Sequence, residues 1–436
     1  MRPPSLLPIL SLPAALVVGA LLPASSAGAA GAGGYTVQPA TPRGHGVIQQ
    51  VTAVMVAPAG IDRNFTRGDV VAALQEDDAF YDAETGGTVR LAAESVTDWI
   101  EPDDPSVSCK DYASINRFAQ QYSGWTPGPD KHLLAIVPDG TQCAYTNNSE
   151  QTDSVDAGGV SFVSSANPDI IAHELGHSFS LHHQSSVQCT SGWDFDAADG
   201  LPSDCVRLEY GNTTDVMGSA YTFYPLSAST LDRMGVVSHR AVPTCGGSRR
   251  IPIRTLSAGY GAQRVVSWAD PQEPSVVYYV QYRDEVDQSE YDYLWDSPFK
   301  VDRGSGVQII RSDPQGAAGG STLVRPGDDS PSAELVRAGE TVPLIHGMSV
   351  SVAAIDEVAH VATVDVTVPC GAGGRTVSPR ADQDALSDSS STEQAGEMTE
   401  MTGMGQLAAM PGMPPMTEAS LGRDPSDVTD VLRGVR

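Results

Sequence analysis

Lysine is almost missing from this chain. Among 436 residues only Lys110, Lys131 and Lys300 carry that side chain. Arginine does not make up the deficit: Lys and Arg total 26 against 54 Asp and Glu, a formal net charge of −28. A surface so acidic repels phosphate backbones, which argues against nucleic acid as a partner. Long apolar runs are absent after residue 22, so only the N-terminal stretch approaches the length that enters a bilayer. No Cys-x-x-Cys occurs, which removes the usual frame of a cysteine-based zinc site. There is no Walker loop for cradling phosphates and no Gly-x-Ser-x-Gly elbow for a serine nucleophile.

What is present begins with residues 1–30. Arg2 gives a short positive start, an apolar core runs from Leu6 to Leu22 across Pro8 and Pro13, and Ala27-Gly28-Ala29 offers a cleavage site. That is the pattern of a secretory signal peptide. It predicts a secreted, extracellular protein, a monomer with no membrane contact once the signal is removed. The alternative is an uncleaved anchor. Six cysteines suit an oxidising compartment. They allow about fifteen pairings, among which chain order suggests Cys109–Cys143, Cys189–Cys205 and Cys245–Cys370. All six lie after residue 100.

Residues 173–183 read His-Glu-Leu-Gly-His-Ser-Phe-Ser-Leu-His-His. His173 and His177 are four apart and so share one helical face. Two imidazoles so placed can hold one Zn²⁺ at about 2.0–2.1 Å. Glu174 lies beside them, positioned to take a proton from an activated water. A catalytic zinc keeps three protein ligands and an open position. His183 supplies the third if the helix ends soon after His177 and the chain turns back.

These residues resemble the metzincin zinc-protease signature, His-Glu-x-x-His-x-x-Gly-x-x-His with a later Met-turn. Asp215-Val216-Met217-Gly218, preceded by Tyr210-Gly211, is similar to the Met-turn of gametolysin-type metzincins. The resemblance covers about residues 48–240, more loosely the region up to Cys370. It implies that Met217 sits in a tight turn under the metal as an apolar floor. It also implies that Gly159, Val160 and Ser161 belong to an edge strand that pairs with an extended substrate backbone, by strand addition; an ordinary interior strand is the alternative. Ser180 departs from the pattern, standing where the family has Gly. A left-handed turn there costs a residue with a Cβ roughly 1 kcal/mol or more. His182 is the nearest substitute ligand, but the family spacing selects His183. The Tyr that some metzincins place two residues after the Met is Ser219 here, and Tyr210, Tyr221 and Tyr224 remain unassigned.

The pattern along the chain predicts an α+β fold. A metzincin-like catalytic domain over 31–245, a twisted mixed sheet with the active-site helix and Met-turn, is followed by a β-sandwich-like domain over 246–370. A disordered, acidic, Met-rich tail fills 371–436. Residues 51–56 read as the first strand. Thr66-x-x-Asp69 resembles a capping box opening a helix through Leu74. Residues 89–92 and 133–137 read as strands, the second apolar throughout as in a central strand. Residues 111–121 read as a helix with Ile115, Phe118 and Ala119 on one face. Asn167 and Pro168 mark the start of the zinc helix. Ile171, Leu175 and Phe179 form its buried stripe.

Residues 184–209 read as a long polar loop, in which Asp194, Asp196 and Asp199 suggest Ca²⁺. Their spacing misses the EF-hand pattern by one residue, and a solvated acidic loop is the alternative. Residues 227–235 read as a short helix with Leu231 and Met234 under the site. Beyond Cys245, segments 276–283, 306–311, 348–354 and 361–368 alternate as strands of a sandwich. Val364, Val366 and Val368 share one face of the last of them. In the tail, Met398, Met401, Met404, Met410, Met413 and Met416 fall at spacing three within two triplets, a soft-ligand pattern that low-complexity drift explains equally well. His45, His132, His239, His346 and His360 read as surface or packing residues.

The resulting expectation is a secreted zinc endopeptidase. His173, His177 and His183 hold the metal, and Glu174 is general base and then acid in hydrolysing peptide bonds of extracellular or cell-wall proteins and glycoproteins. Two alternatives stand beside it: a zinc peptidase of another clan with Glu209 as a carboxylate third ligand, and a non-catalytic surface or adhesion protein on a protease scaffold.

Overall fold

The computed structural model describes residues 35–38, 47–138, 143, 147–196, 200–212, 214–218, 224–237, 239–284, 304–313, 317–327 and 333–370. The expected signal (1–30) and Met-rich tail (371–436) lie outside the described residues, as do His45, Asp199, Ser219 and Tyr221. Within them the chain is α+β, with three sheets and few helices.

The chain runs through β1 (Tyr35–Gln38), β2 (Val47–Met55), α1 (Arg67–Thr85), β3 (Val89–Val96), α2 (Tyr112–Ser123), β4 (Lys131–Ile136), β5 (Asn148–Ser149), β6 (Gly159–Val163) and α3 (Pro168–Ser178). Strands β2 to β6 form a sheet of order β3-β2-β4-β6-β5, parallel except for β5 at its edge. Both faces of β4 are covered, which is why its run Leu133-Leu134-Ala135-Ile136 is uniformly apolar and fully buried. The period of two sorts the side chains. Ala53, Met55, Leu134 and Ile136 join the core under α1 and α3, while Val54, Val56, Leu133 and Ala135 face α2 with Ile115 and Ala119.

Helix α1 opens on the expected capping box: Asp69 N–H donates to Thr66 Oγ1 (3.3 Å) and Thr66 N–H to Asp69 Oδ2 (2.6 Å). It runs well beyond the expected end at Leu74, to Thr85, and stops at Gly86 with φ 62°. The extension is strongly acidic and hides its buried face from pattern reading; Tyr81 anchors it, its hydroxyl donating to the Ala172 carbonyl of α3 (2.7 Å). Helix α3 begins at Pro168 after Asn167, and Ile171, Leu175 and Phe179 are wholly buried, as expected.

The second half holds β7 (Ser185–Cys189), β8 (Cys205–Leu208), α4 (Ala228–Arg233), β9 (Arg240–Pro243), β10 (Gly247–Arg254), β11 (Val265–Ala269), β12 (Val277–Arg283), β13 (Gly306–Asp313), β14 (Ala317–Val324), β15 (Thr341–Pro343), β16 (Ser349–Asp356) and β17 (Val361–Val368). An eight-stranded sheet runs β1-β9-β11-β12-β13-β14-β7-β8, and a four-stranded sheet runs β10-β17-β16-β15. One face of the larger sheet packs Trp268, Tyr278, Val280 and Ile309 against Ile251, Val350, Val364 and Val366 of the smaller. Its opposite face packs Val277, Tyr279 and Ile310 with Leu231 and Met234, in the same core as Met217 and Leu175. Strand β12 is therefore buried along its whole length.

The expected division at residue 245 is not a break in the hydrogen bonding. Strands β1, β7, β8 and β9 precede it yet share a sheet with β11 to β14, and β7 pairs in parallel with β14 (Ser185 opposite Ser321, Gln188 opposite Val324). Residues 184–209 are likewise not simply a loop: β7 and β8 pair antiparallel, Cys189 opposite Cys205. Disulfides join Cys109–Cys143, Cys189–Cys205 and Cys245–Cys370, the pairing that chain order suggests. No helix among the described residues is long and apolar enough to cross a membrane.

Candidate metal centre

Helix α3 carries His173, Glu174 and His177, and His183 returns to them five residues past the helix end. One ring nitrogen from each of the three histidines lies within 4.8 Å of the others. A tetrahedral ion bound at about 2.0–2.1 Å needs nitrogens about 3.3 Å apart, so shifts of about 1 Å complete the set. It is the one cluster of three or more His, Cys, Asp or Glu suited to a metal among the described residues.

The return is made by the turn after α3. Leu181 N–H donates to the Gly176 carbonyl (2.9 Å) and Ser180 N–H to that of His177 (3.0 Å), the paired bonds of a Schellman motif. Ser180 takes the left-handed position, φ 71°, without being Gly. Its side chain has compensation: Arg233 Nε donates to Ser180 Oγ (3.2 Å) and to the Ser180 carbonyl. The chain is then fixed from outside the helix. Gln184 N–H donates to the Met217 carbonyl (2.8 Å), Gln184 Nε2 donates to the Gly319 carbonyl in β14, and Ser185 enters the β7–β14 ladder.

Each of the three histidines is oriented through its Nδ1 by a different piece of chain. His173 Nδ1–H donates to the Val216 carbonyl, next to Met217 (2.7 Å). His177 Nδ1–H donates to the Leu181 carbonyl (2.9 Å), with Gln151 Oε1 at 3.2 Å. His183 Nδ1–H donates to Glu209 Oε1 (2.7 Å). These bonds fix the tautomers and leave the three Nε2 lone pairs for a common ion. Burial pushes His173 down to about 4 and His177 to about 3, and lowers His183 as well, so the three are neutral and ligand-competent at pH 7.

Glu174 is buried, and desolvation pushes its carboxyl up to about 8. A cation on the neighbouring imidazoles would draw it back down by direct attraction. Met217 is fully buried below α3. A Cβ on Gly176 would stand 2.5 Å from its Sδ, so a larger residue there would push the Met217 side chain out of its present contact with α3. The turn at Met217 is held by Asp215, which accepts from Met217 N–H (2.7 Å) and Ser227 N–H (2.6 Å).

Several expectations change at this point. His182 is not in the cluster; His183 is. Glu209 does not replace His183 but accepts a hydrogen bond from its Nδ1–H. The segment Gly159, Val160 and Ser161 is not an edge. Strand β6 lies between β4 and β5, and Glu150 takes both free groups of Val160: Glu150 N–H donates to its carbonyl (3.0 Å) and its N–H donates to Glu150 Oε2 (3.1 Å). A peptide adding to this sheet would meet β5 instead. At the expected calcium loop the Asp194 side chain is buried and its carboxylate is engaged by Arg311 Nη1 (2.8 Å), Tyr278 Oη (2.7 Å) and Ile345 N–H (3.0 Å), so Asp194 is not available to an ion. Among the other histidines, His132 is buried against Gln49, while His346 and His360 pair with Asp270 and Asp284.

Two residues stand beside the three histidines in roles that motif reading did not give them. Glu209, weighed there only as a substitute ligand, is one. Tyr210 is the other: its ring centroid lies 3.9 Å from that of His183 and 5.9 Å from that of His173. The sequence signal for both was their place in Glu209-Tyr210-Gly211, shortly before Met217.

No protein-family model matches the chain, and no curated protein matches it.

Proposed function

We propose that this protein is a secreted zinc endopeptidase of metzincin type, resembling the gametolysin-like family, that cleaves extracellular or cell-wall proteins and glycoproteins. The observation that carries the reading is the trio of neutral imidazoles, each with Nδ1 engaged and Nε2 left free for one ion, on and beside the helix that also bears Glu174. Three nitrogen donors suit zinc, and a three-ligand set leaves the open position of a catalytic rather than a structural site. When bound, zinc supplies a water acidified toward neutrality and a Lewis acid for the scissile carbonyl. Glu174 accepts the proton of the attacking water and returns it to the leaving amine. Val216, Leu181 and Glu209 hold the imidazoles in the ligating tautomer throughout. Met217 keeps the floor of the site dry. The three disulfides support export to an oxidising compartment.

The test pairs zinc content with casein cleavage for wild type and Glu174→Gln. One zinc per chain in both, with cleavage by wild type alone, is the expected result. Cleavage by the Glu174→Gln protein would overturn the mechanism; zinc without cleavage in either would favour the non-catalytic binding protein.

A further inference from the structure

An α-helix leaves its last carbonyls without partners of its own. At the end of α3 the chain that follows β5 supplies some of them. Thr152 N–H donates to the His177 carbonyl (3.3 Å) and Thr152 Oγ1 to the Ser178 carbonyl (2.9 Å). Beside these bonds the hydroxyl oxygen of Ser149 in β5 stands 2.7 Å from that of Ser161 in β6 and 3.1 Å from that of Ser178 in α3, and the last two are 3.2 Å apart. A Cβ on Gly159 would stand 3.2 Å from Ser178 Oγ, so the helix end lies close against the sheet.

Gln151 sits between these contacts and reaches an imidazole. Its Oε1 lies 3.2 Å from His177 Nδ1, which also bonds to the Leu181 carbonyl (2.9 Å). A carbonyl can only accept, so Nδ1 carries the proton and Gln151 presents its oxygen to it. The amide nitrogen is then turned to the main chain, where Nε2 donates to the carbonyls of Thr152 (3.3 Å) and His177 (3.5 Å). One amide thus clasps His177 at its ring and at its backbone. Gln151 is itself exposed while His177 is buried, so the clasp is not core packing. A ring held by one acceptor can still pivot about that bond, and a second acceptor on the same proton limits the pivot. The residue before Gln151 belongs to the sheet edge: Glu150 N–H donates to the Val160 carbonyl of β6 (3.0 Å), directly after the outer strand β5. The His177 ring and the sheet edge therefore share one short piece of chain, residues 149–152.

We infer that Gln151 is a positioning residue for His177, and that through it the metal centre and the outer edge of the sheet are coupled. An ion held by His177 stiffens residues 149–152, and by reciprocity an ordered edge favours the ion. This rests on the zinc reading above. Gln151 acts through His177 alone, and no covalent bond forms or breaks.

The experiment compares full-length wild type, Gln151→Ala and Gln151→Glu, metal-free and zinc-loaded. Competition with a chromophoric chelator reads zinc affinity, the absorption of the Co²⁺-substituted proteins reads ligand geometry, and hydrogen exchange reads the Glu150 and Thr152 amides. For Gln151→Ala the expected zinc affinity is lower by about tenfold, the low end for losing an outer partner because the Leu181 carbonyl remains. Its Co²⁺ spectrum should shift, while its metal-free urea midpoint stays that of wild type. Gln151→Glu restores an acceptor for Nδ1–H and should bring the affinity back to within about threefold of wild type or above it. Zinc should slow exchange at both amides in wild type, and slow Glu150 less in Gln151→Ala. A merely structural Gln151 would weaken zinc equally in both variants, lower the metal-free urea midpoint and leave the Co²⁺ spectrum unmoved; that pattern overturns the inference. So does an affinity of Gln151→Ala within about threefold of wild type, or zinc that leaves Glu150 exchange in wild type unchanged. In each of those cases the zinc reading stands. Wild type that binds no zinc sinks that reading, and the inference with it.

Discussion

Gly319 lies in β14, far along the chain from the three clustered histidines, yet it bears on where His183 sits. A Cβ built there would stand 2.2 Å from the His183 carbonyl oxygen and 2.9 Å from that of His182. Both are backbone atoms, and the β7–β14 ladder that starts two residues later leaves them little room to retreat. The Gly319→Ala protein therefore separates the strands locally, at an overpacking cost of about 1–3 kcal/mol. Relief comes from moving His183 away from His173 and His177. Disturbing the outer support of a metal ligand typically costs about 10–100-fold in metal affinity, or roughly 1.4–2.7 kcal/mol. Competition against a chromophoric zinc chelator measures that loss, and urea unfolding in excess chelator measures the packing cost alone. Gly327→Ala is the control: Gly327 has φ 69° and a Cβ there would meet no atom within 4 Å, so the substitution adds backbone strain with no contact. A folded Gly319→Ala protein that binds zinc within threefold of wild type would refute the claim that β14 fixes the third ligand.

Two further outcomes follow from the same contacts. Ser180→Ala keeps the strained φ of 71° and the Arg233 bond to the carbonyl but loses the Arg233 bond to Oγ, so it should be less stable to urea by about 1 kcal/mol. Ser180→Gly loses the bond but also the strain and should be close to neutral; equal destabilisation by both would remove the compensation argument. His132 is buried, its Nε2–H given to Gln49 Oε1 (2.8 Å) and its Nδ1 without a partner, so burial holds it down at about 4. The unfolded chain, with an ordinary His, takes up a proton as pH drops below about 6.5 and the folded chain does not, so stability is lost as pH falls from there toward 4. Between pH 7 and pH 5 the loss is about 2 kcal/mol, from a depression of about 2.5 units at 1.36 kcal/mol each, partly titrated at pH 5. Urea unfolding of chelated wild type and His132→Gln at both pH values checks it: an equal drop in both proteins would rule His132 out as the source.

The sequence by itself determined what is local. The spacing of His173 and His177, the start of α3 at Pro168, its buried stripe, the capping box at Thr66 and the apolar β4 follow from periods of 3.6 and 2 and from cap chemistry, which act over a few residues. Chain order was enough for the disulfides because each bridge joins cysteines that are neighbours in that order. Whatever depends on a distant partner was not legible. Val160 reads as a strand residue in any case; that its edge is filled follows only from where Glu150 lands. Asp194 looks like a solvated acid until Arg311 folds over it from β13. The division at residue 245 looked like a boundary because composition changes there, but sheet pairing follows backbone geometry and not composition, so β7 joins β14 across it. His183 could be named from its spacing. Its place beside the other two imidazoles was decided by Glu209, Gln184 and Gly319, because one left-handed turn does not fix a direction that a sheet ladder does.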